Sequence, residues 1–202
     1  MMKQSLIVLT AALLAASALP VSAAPRTETA VLAGGCFWGM ESVFEHVRGV
    51  SDVVSGYAGG GASDANYDAV SSEGTRHAEA VRISFDPAKI SYSQLLQIYF
   101  TVAHDPTEVD RQGPDVGHSY RSAIFPQTPD QARLAKAFIA RLGEAHIYKA
   151  PIATRIESGG FYPAEAYHQA FARRHPDYPY IVINDRPKVA ALQKRFPTLY
   201  KG

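Results

Sequence analysis

A disulfide within the chain is excluded at once, because the 202 residues include a single cysteine, Cys36. The usual cysteine-paired structural zinc sites are excluded with it. Neither sign of charge is in excess: 20 lysines and arginines against 19 aspartates and glutamates leave a formal net charge of +1. With the basic residues scattered, nothing forms the electrostatic footprint of a nucleic-acid binder. Repeats, low-complexity tracts and long linkers are missing too. The one long apolar run, Leu6 to Leu19, falls short of the roughly 20 residues that a membrane-spanning helix needs.

Its surroundings give that run another meaning. Lys3 supplies a positive n-region and Val21-Ser22-Ala23 a small-residue cleavage site, so residues 1–23 are expected to be a signal peptide, an uncleaved anchor being the other reading. The product would be exported, to the periplasm or beyond. No cysteine follows the cleavage site to carry a lipid, and no stable membrane association is expected. Residues 24–202 have the length and apolar content of one domain. An oxidising compartment usually favours paired cysteines, so a lone cysteine in an exported chain suggests a working thiol.

Cys36 lies in Gly34-Gly35-Cys36-Phe37-Trp38-Gly39, where the strand-like run Ala30 to Ala33 meets an amphipathic pattern of Met40, Val43, Phe44 and Val47. Two glycines allow a sharp turn there. The free N–H groups and positive dipole end of the following helix would favour a thiolate. The helix is expected to end near Gly49, and Val50 to Tyr57 to form a strand. Gly59 to Gly74, rich in Gly, Ser, Asp and Asn, reads as a long surface loop.

Glu79, Val81, Ile83 and Phe85 alternate with small or polar residues, the period-2 pattern of a strand with one buried face. Ser91 and Gln94 form a capping box before a helix reaching Val102, and Thr128-Pro129-Asp130-Gln131 opens another through Leu142. Tyr120 to Phe125 and Pro151 to Ile156 read as strands, and Pro163 to Arg173 as a short helix. This interleaving predicts an α+β fold, a mixed α/β sandwich with helices packed on a central sheet.

The alternation turns Glu79 toward apolar surroundings. Desolvation there raises a carboxyl pKa and makes a proton donor near neutral pH; a head group reaching water at the strand end is the other reading. Tyr67 and Tyr120 border the two long loops, and Asp115 sits in Gln112-Gly113-Pro114-Asp115-Val116-Gly117. Alone, these fit packing tyrosines and a turn-forming aspartate. His77, His104, His118 and His168 show no metal-ligand spacing, so no metal is expected. The alternative readings are a cysteine hydrolase using His77 or His168 as base and a peptide-binding module built on the aromatic residues.

Taken in order, several motifs resemble one family. They are Gly35-Cys36-Phe37-Trp38-Gly39, Gly74-Thr75-Arg76-His77-Ala78-Glu79-Ala80-Val81, Asp105-Pro106-Thr107, Arg111 to Gly117, Tyr120-Arg121-Ser122-Ala123-Ile124 and Phe161 to Gln169. The family is that of peptide methionine sulfoxide reductase A, and the likeness spans most of residues 24–202. It implies a single catalytic domain whose mostly antiparallel sheet elaborates a ferredoxin-like plan. It implies that the Cys36 thiolate attacks the sulfur of an S-sulfoxide while Glu79 protonates the oxygen. By the same resemblance Phe37 and Trp38 wall the methyl group, and Tyr67, Asp115 and Tyr120 surround the oxygen. Cys36 would become a sulfenic acid. The partners would be oxidised proteins or peptides and a thioredoxin-like protein or glutathione, with no cofactor beyond this external thiol.

This chain departs from the family pattern in places. Arg195 to Gly202 contains no further cysteine to attack the sulfenic acid, and Ser71 stands where some relatives have one. Glu73 and Arg76 occupy positions that are often glycine, and His118 is unusual. The lone thiol is therefore expected to be exposed enough for an outside reductant to reach it.

Overall fold

The computed structural model describes residues 26–202. The expected signal peptide, residues 1–23, lies outside the described residues. No helix among them is long and apolar enough to cross a membrane.

The chain begins with strand β1 (Glu28–Ala33), helix α1 (Phe37–Glu45) and strand β2 (Val50–Ala58), then a short helix α2 (Tyr67–Ser71), strand β3 (Ala78–Phe85) and helix α3 (Tyr92–Ile98). A two-stranded ribbon, β4 (Arg111–Gln112) and β5 (Asp115–Val116), precedes β6 (Ala123–Phe125) and α4 (Pro129–Glu144). Then come β7 (Arg155–Ile156), β8 (Phe161–Pro163), α5 (Phe171–Arg174) and α6 (Arg186–Arg195). The sheet runs β7-β6-β1-β3-β2-β8. Only the β6–β7 pair is parallel; the other four ladders are antiparallel. At its centre the order β6-β1-β3-β2 interlocks two split β-α-β units, the ferredoxin-like plan.

Alternation in β3 and β1 sorts the two faces. Leu32, Val81, Ile83 and Phe85 pack with Met40, Val43 and Phe44 of α1 and Leu95, Leu96 and Ile98 of α3. Full burial of each such aliphatic or aromatic side chain stabilises by about 1.5–3 kcal/mol. The opposite face is built of small residues, Ala33, Ala58, Ala78, Ala80 and Ala123, with Val31, Phe125 and Phe161. Because β1 and β3 lie side by side in the sheet, the turn after β1 and the start of β3 meet at one end of it.

The caps at Ser91 and Thr128 form as their motifs indicate, Ser91 Oγ accepting from Gln94 N and Thr128 Oγ1 from Gln131 N. Other boundaries move. Helix α1 ends at Glu45 rather than near Gly49, and α3 passes into a π-helical turn, Tyr99–Ala103. The stretch from Gly59 to Gly74 is not all loop: Asn66 caps α2 by accepting from Ala69 N at 3.0 Å, and Tyr67 is the first residue of that helix. Tyr120 lies in a 3-10 turn, His118–Tyr120, ahead of β6. Residues 163–170 precede a helix of only four residues, since Ala170 takes a left-handed conformation (φ 51°) that interrupts any longer one. Helix α6 had no counterpart in the sequence reading.

Candidate active site

At the end of β1 the backbone must turn within two residues. Gly35 does so at φ 90°, and a Cβ on it would stand 2.6 Å from the Gln112 side chain. A Cβ on Gly34 would approach His104 to 2.8 Å. Cys36 then becomes the N-cap of α1. The Phe37 N–H donates to Glu79 Oε2 at 2.9 Å, so the first turn of the helix holds a carboxyl group from the head of β3.

Burial reverses one expectation about the sulfur. The Trp38 N–H does favour the thiolate, yet Cys36 is only 8% exposed. Desolvation, with the negative charges of Glu79 and Asp185, pushes its pKa well above the ordinary thiol value. Removal from water outweighs the helix terminus, so the resting group is a thiol. The exposure expected for a reductant is likewise not found. Glu79, 3% exposed, is pushed up to about 8, first by desolvation and then by the charges of Asp115 and Glu73. It lies on the same face of β3 as Val81, Ile83 and Phe85, and at neutral pH it carries a proton.

Phenols surround this pair. Burial, followed by the charges of Glu79 and Cys36, raises the pKa of both Tyr67 and Tyr120, keeping both hydroxyls as hydrogen-bond donors. Glu165 sets Tyr67, accepting its backbone N–H at 2.9 Å with one oxygen and the Tyr57 hydroxyl at 2.8 Å with the other. Glu73, left-handed at φ 60°, accepts from Ser119 N (3.1 Å) and Ser119 Oγ (2.5 Å), and so joins the end of the α2 loop to the turn that carries Tyr120. Asp115 is half-buried with a raised pKa, which the hydrogen bond from Tyr180 opposes.

Phe37 and Trp38 begin α1 side by side. Phe37 is buried against Tyr57 and His168. Trp38 stacks on Phe171 with centroids 3.8 Å apart and planes 8° apart, and its indole N–H donates to His168 Nδ1 at 3.2 Å. Tyr180 meets the Trp38 ring edge-on at 6.0 Å. Cys36, Glu79, Phe37, Trp38, Tyr67, Asp115 and Tyr120 thus gather at one end of the sheet.

Tyr180, Phe171, Glu165 and Asp185 were not singled out from sequence, and Tyr180 had only the Tyr178-Pro179-Tyr180 cluster to mark it. His77 and His104 serve the backbone instead: His77 Nε2 bonds to the Gly61 carbonyl, and His104 lies between the Tyr99 carbonyl and Ser122 Oγ. No group of three or more metal-ligating side chains occurs among the described residues. The groups whose charges act most on Cys36 are carboxylates. A sulfur nucleophile beside a neutral carboxylic acid and neutral phenols is equipped to deliver protons to an oxygen leaving a sulfur atom.

The profile of the family described as peptide methionine sulfoxide reductase matches residues 28–199. The chain belongs to this family. It is 56% identical over 179 residues to peptide methionine sulfoxide reductase MsrA 2 of Mesorhizobium japonicum, covering 88% of this chain and 92% of that protein. Identity is 51% over 185 residues to MsrA 2 of Synechocystis sp., covering 91% and 86%. Among solved structures, methionine sulfoxide reductase A of Corynebacterium diphtheriae superposes with a TM-score of 0.64 at 31% identity, covering 76% of this chain and 77% of that one. The protein is thus an oxidoreductase that reduces methionine sulfoxide at the expense of a thiol, a repair activity. Hydrolysis and simple peptide binding fall away as its main function.

Proposed function

We propose that Cys36 is the nucleophile and Glu79 the general acid of this reductase, acting on the S-sulfoxide of protein-bound methionine. The observation that carries the assignment is the buried Glu79 carboxyl, protonated up to about pH 8, bonded to the first N–H of the Cys36 helix. Phe37 and Trp38 receive the methyl group. The hydroxyls of Tyr67 and Tyr120, with Asp115, face the oxygen. Separate methyl and oxygen pockets give a chiral sulfur one productive orientation.

When the sulfoxide oxygen hydrogen-bonds to Glu79, the sulfur becomes electrophilic and Cys36 Sγ attacks it. As the S–S bond forms, Glu79 gives its proton to the oxygen and the carboxylate left behind takes up the thiol proton, so the acid is restored. Migration of the resulting hydroxyl to Cys36 breaks both the methionine S–O bond and the new S–S bond, releasing methionine and leaving Cys36 as a sulfenic acid. A first external thiol displaces water to form a mixed disulfide, and a second frees Cys36 while becoming oxidised. With one cysteine in the chain, both thiols come from outside, from glutathione or a thioredoxin-like protein. The signal-like residues 1–23 support the placing of this chemistry in the periplasm or outside the cell.

Mass spectrometry of a methionine sulfoxide peptide mixed with the purified protein tests this reading. Loss of one oxygen from the S epimer alone is expected, together with the gain of one oxygen on Cys36 before reductant is added. Oxygen transferred to any other residue, or equal consumption of both epimers, would overturn it.

A further inference from the structure

Glu41 is a carboxyl group in the interior, 2% exposed, whose pKa burial pushes up to about 7; it lies on the helix that presents Cys36, and nothing in the proposed chemistry uses it. Burying such a group is costly unless its oxygens are satisfied. Both are. Oε1 accepts the Ala170 N–H at 2.9 Å, and Oε2 accepts from Ser55 Oγ at 3.0 Å. One side chain therefore joins α1, β2 and the segment leading into α5.

That segment supports the site from behind. Glu165 holds Tyr57 and the Tyr67 backbone, His168 accepts the Trp38 indole N–H, and Phe171 covers the Trp38 ring. Gln169 fastens the same segment to β2, accepting Ser55 N at 3.0 Å and donating to the Ser55 and Ala164 carbonyls at 2.9 Å. Ala170, between them, adopts φ 51° and ψ 33°, a conformation that a non-glycine residue holds only when its surroundings enforce it. The Glu41 carboxyl is placed to enforce it, since the N–H it captures is that of Ala170 itself.

We propose that Glu41 is a positioning residue of the reductase. By fixing Ala170 it seats His168 and Phe171 against Trp38 and so sets the shape of the wall that receives the substrate methyl group. This rests on the reading of Trp38 as that wall. The other charged groups acting on Glu41 are Glu45, one turn further along α1, and Arg173 of α5; neither bridges to Ala170.

Trp38 is the only tryptophan in the chain, so intrinsic fluorescence reports on it alone. Glu41→Ala is expected to red-shift and broaden that emission. It should also raise KM for a methionine sulfoxide peptide about tenfold, the scale of a misplaced binding group, while alkylation of Cys36 by iodoacetamide stays within about twofold of wild type. Glu41→Gln, whose amide oxygen still accepts from Ala170 and whose NH₂ donates to Ser55 Oγ, should restore emission and KM. If the alanine variant cannot be purified, Glu41→Asp, one methylene shorter, should shift both in the same direction by less. A folded Glu41→Ala or Glu41→Asp protein with wild-type emission, or a glutamine variant as impaired as alanine, overturns the proposal. A shifted emission with unchanged KM overturns the claim that Glu41 acts on the substrate, and with it the wall reading of Trp38, while leaving Cys36 and Glu79 in their roles.

Discussion

Tyr180 donates its phenolic hydrogen to the Asp115 carboxylate, joining residues 65 apart in the chain beside Cys36. The same tyrosine packs edge-on against Trp38. It therefore belongs to both the polar and the apolar side of the site. Tyr180→Phe removes the donor and leaves a half-buried carboxylate short of a partner, which should cost about 1–3 kcal/mol. Chemical denaturation should register that loss, and KM for a sulfoxide peptide should rise. Wild-type stability together with wild-type KM would show that the pair is idle.

Replacing the proposed nucleophile gives the plainest outcome. Cys36→Ser should fold, since the residue is a small N-cap, and should reduce no measurable sulfoxide, because a serine hydroxyl is a far poorer nucleophile at neutral pH. Substantial activity in the folded variant would remove Cys36 from its role.

Glu79→Gln keeps the acceptor for the Phe37 N–H but cannot deliver a carboxylic proton. The single-turnover rate should fall by about 10²-fold or more, the scale of a positioned acid. In the wild type the acid form is lost as pH rises through about 8, so the rate should descend there, and the variant should lack that descent. Stability changes in the corresponding direction. Between the ordinary carboxyl value of 4.5 and about 8 the folded chain holds a proton that the unfolded chain has released, so stability falls as pH rises across that interval. The stability of Glu79→Gln should be flatter there. A wild-type pH-rate profile in this variant would place the acid elsewhere.

The cysteine count sets the stoichiometry. In a thiol-free mixture each chain should make at most one equivalent of product, after which dimedone should label Cys36 and dithiothreitol should restore turnover. With the sulfur only 8% exposed, small thiols should reduce the sulfenic acid faster than bulky ones of equal pKa. Several turnovers without thiol would require another route of regeneration.

The turn at Gly35 supplies a structural check. Gly35→Ala forces a side chain into a left-handed position 2.6 Å from Gln112, and a cost of about 1–3 kcal/mol from backbone strain is expected, read as a lowered denaturation midpoint with a slower reaction. An unchanged midpoint would mean that the turn has room to relax.

Local pattern was enough to mark the two central groups. Gly34-Gly35-Cys36 at a strand-to-helix junction placed the thiol, and period-2 alternation placed Glu79 on the buried face of β3, because both signals reside in the spacing of neighbouring residues. Element order gave helices packed on a central sheet; the two split β-α-β units were implied by the family resemblance alone, because which strands pair depends on contacts distant in the chain. Tyr120 and Tyr67, by contrast, were loop-border tyrosines in local pattern and reached the site only through the family resemblance; their place beside Cys36 depends on α2 and on the Glu73–Ser119 hydrogen bonds, which span 46 residues.

By itself, then, the sequence determined that one thiol is present, that no second cysteine in the chain can assist it, and which carboxyl lies on the apolar face of β3. Tertiary structure alone decided the protonation of both groups and the walls around them. The helix terminus favours a thiolate, but burial takes the sulfur out of water, and desolvation depends on everything that packs around an atom rather than on its neighbours in the chain. For the same reason Tyr180 and Glu41 disclosed their partners only when distant segments came together.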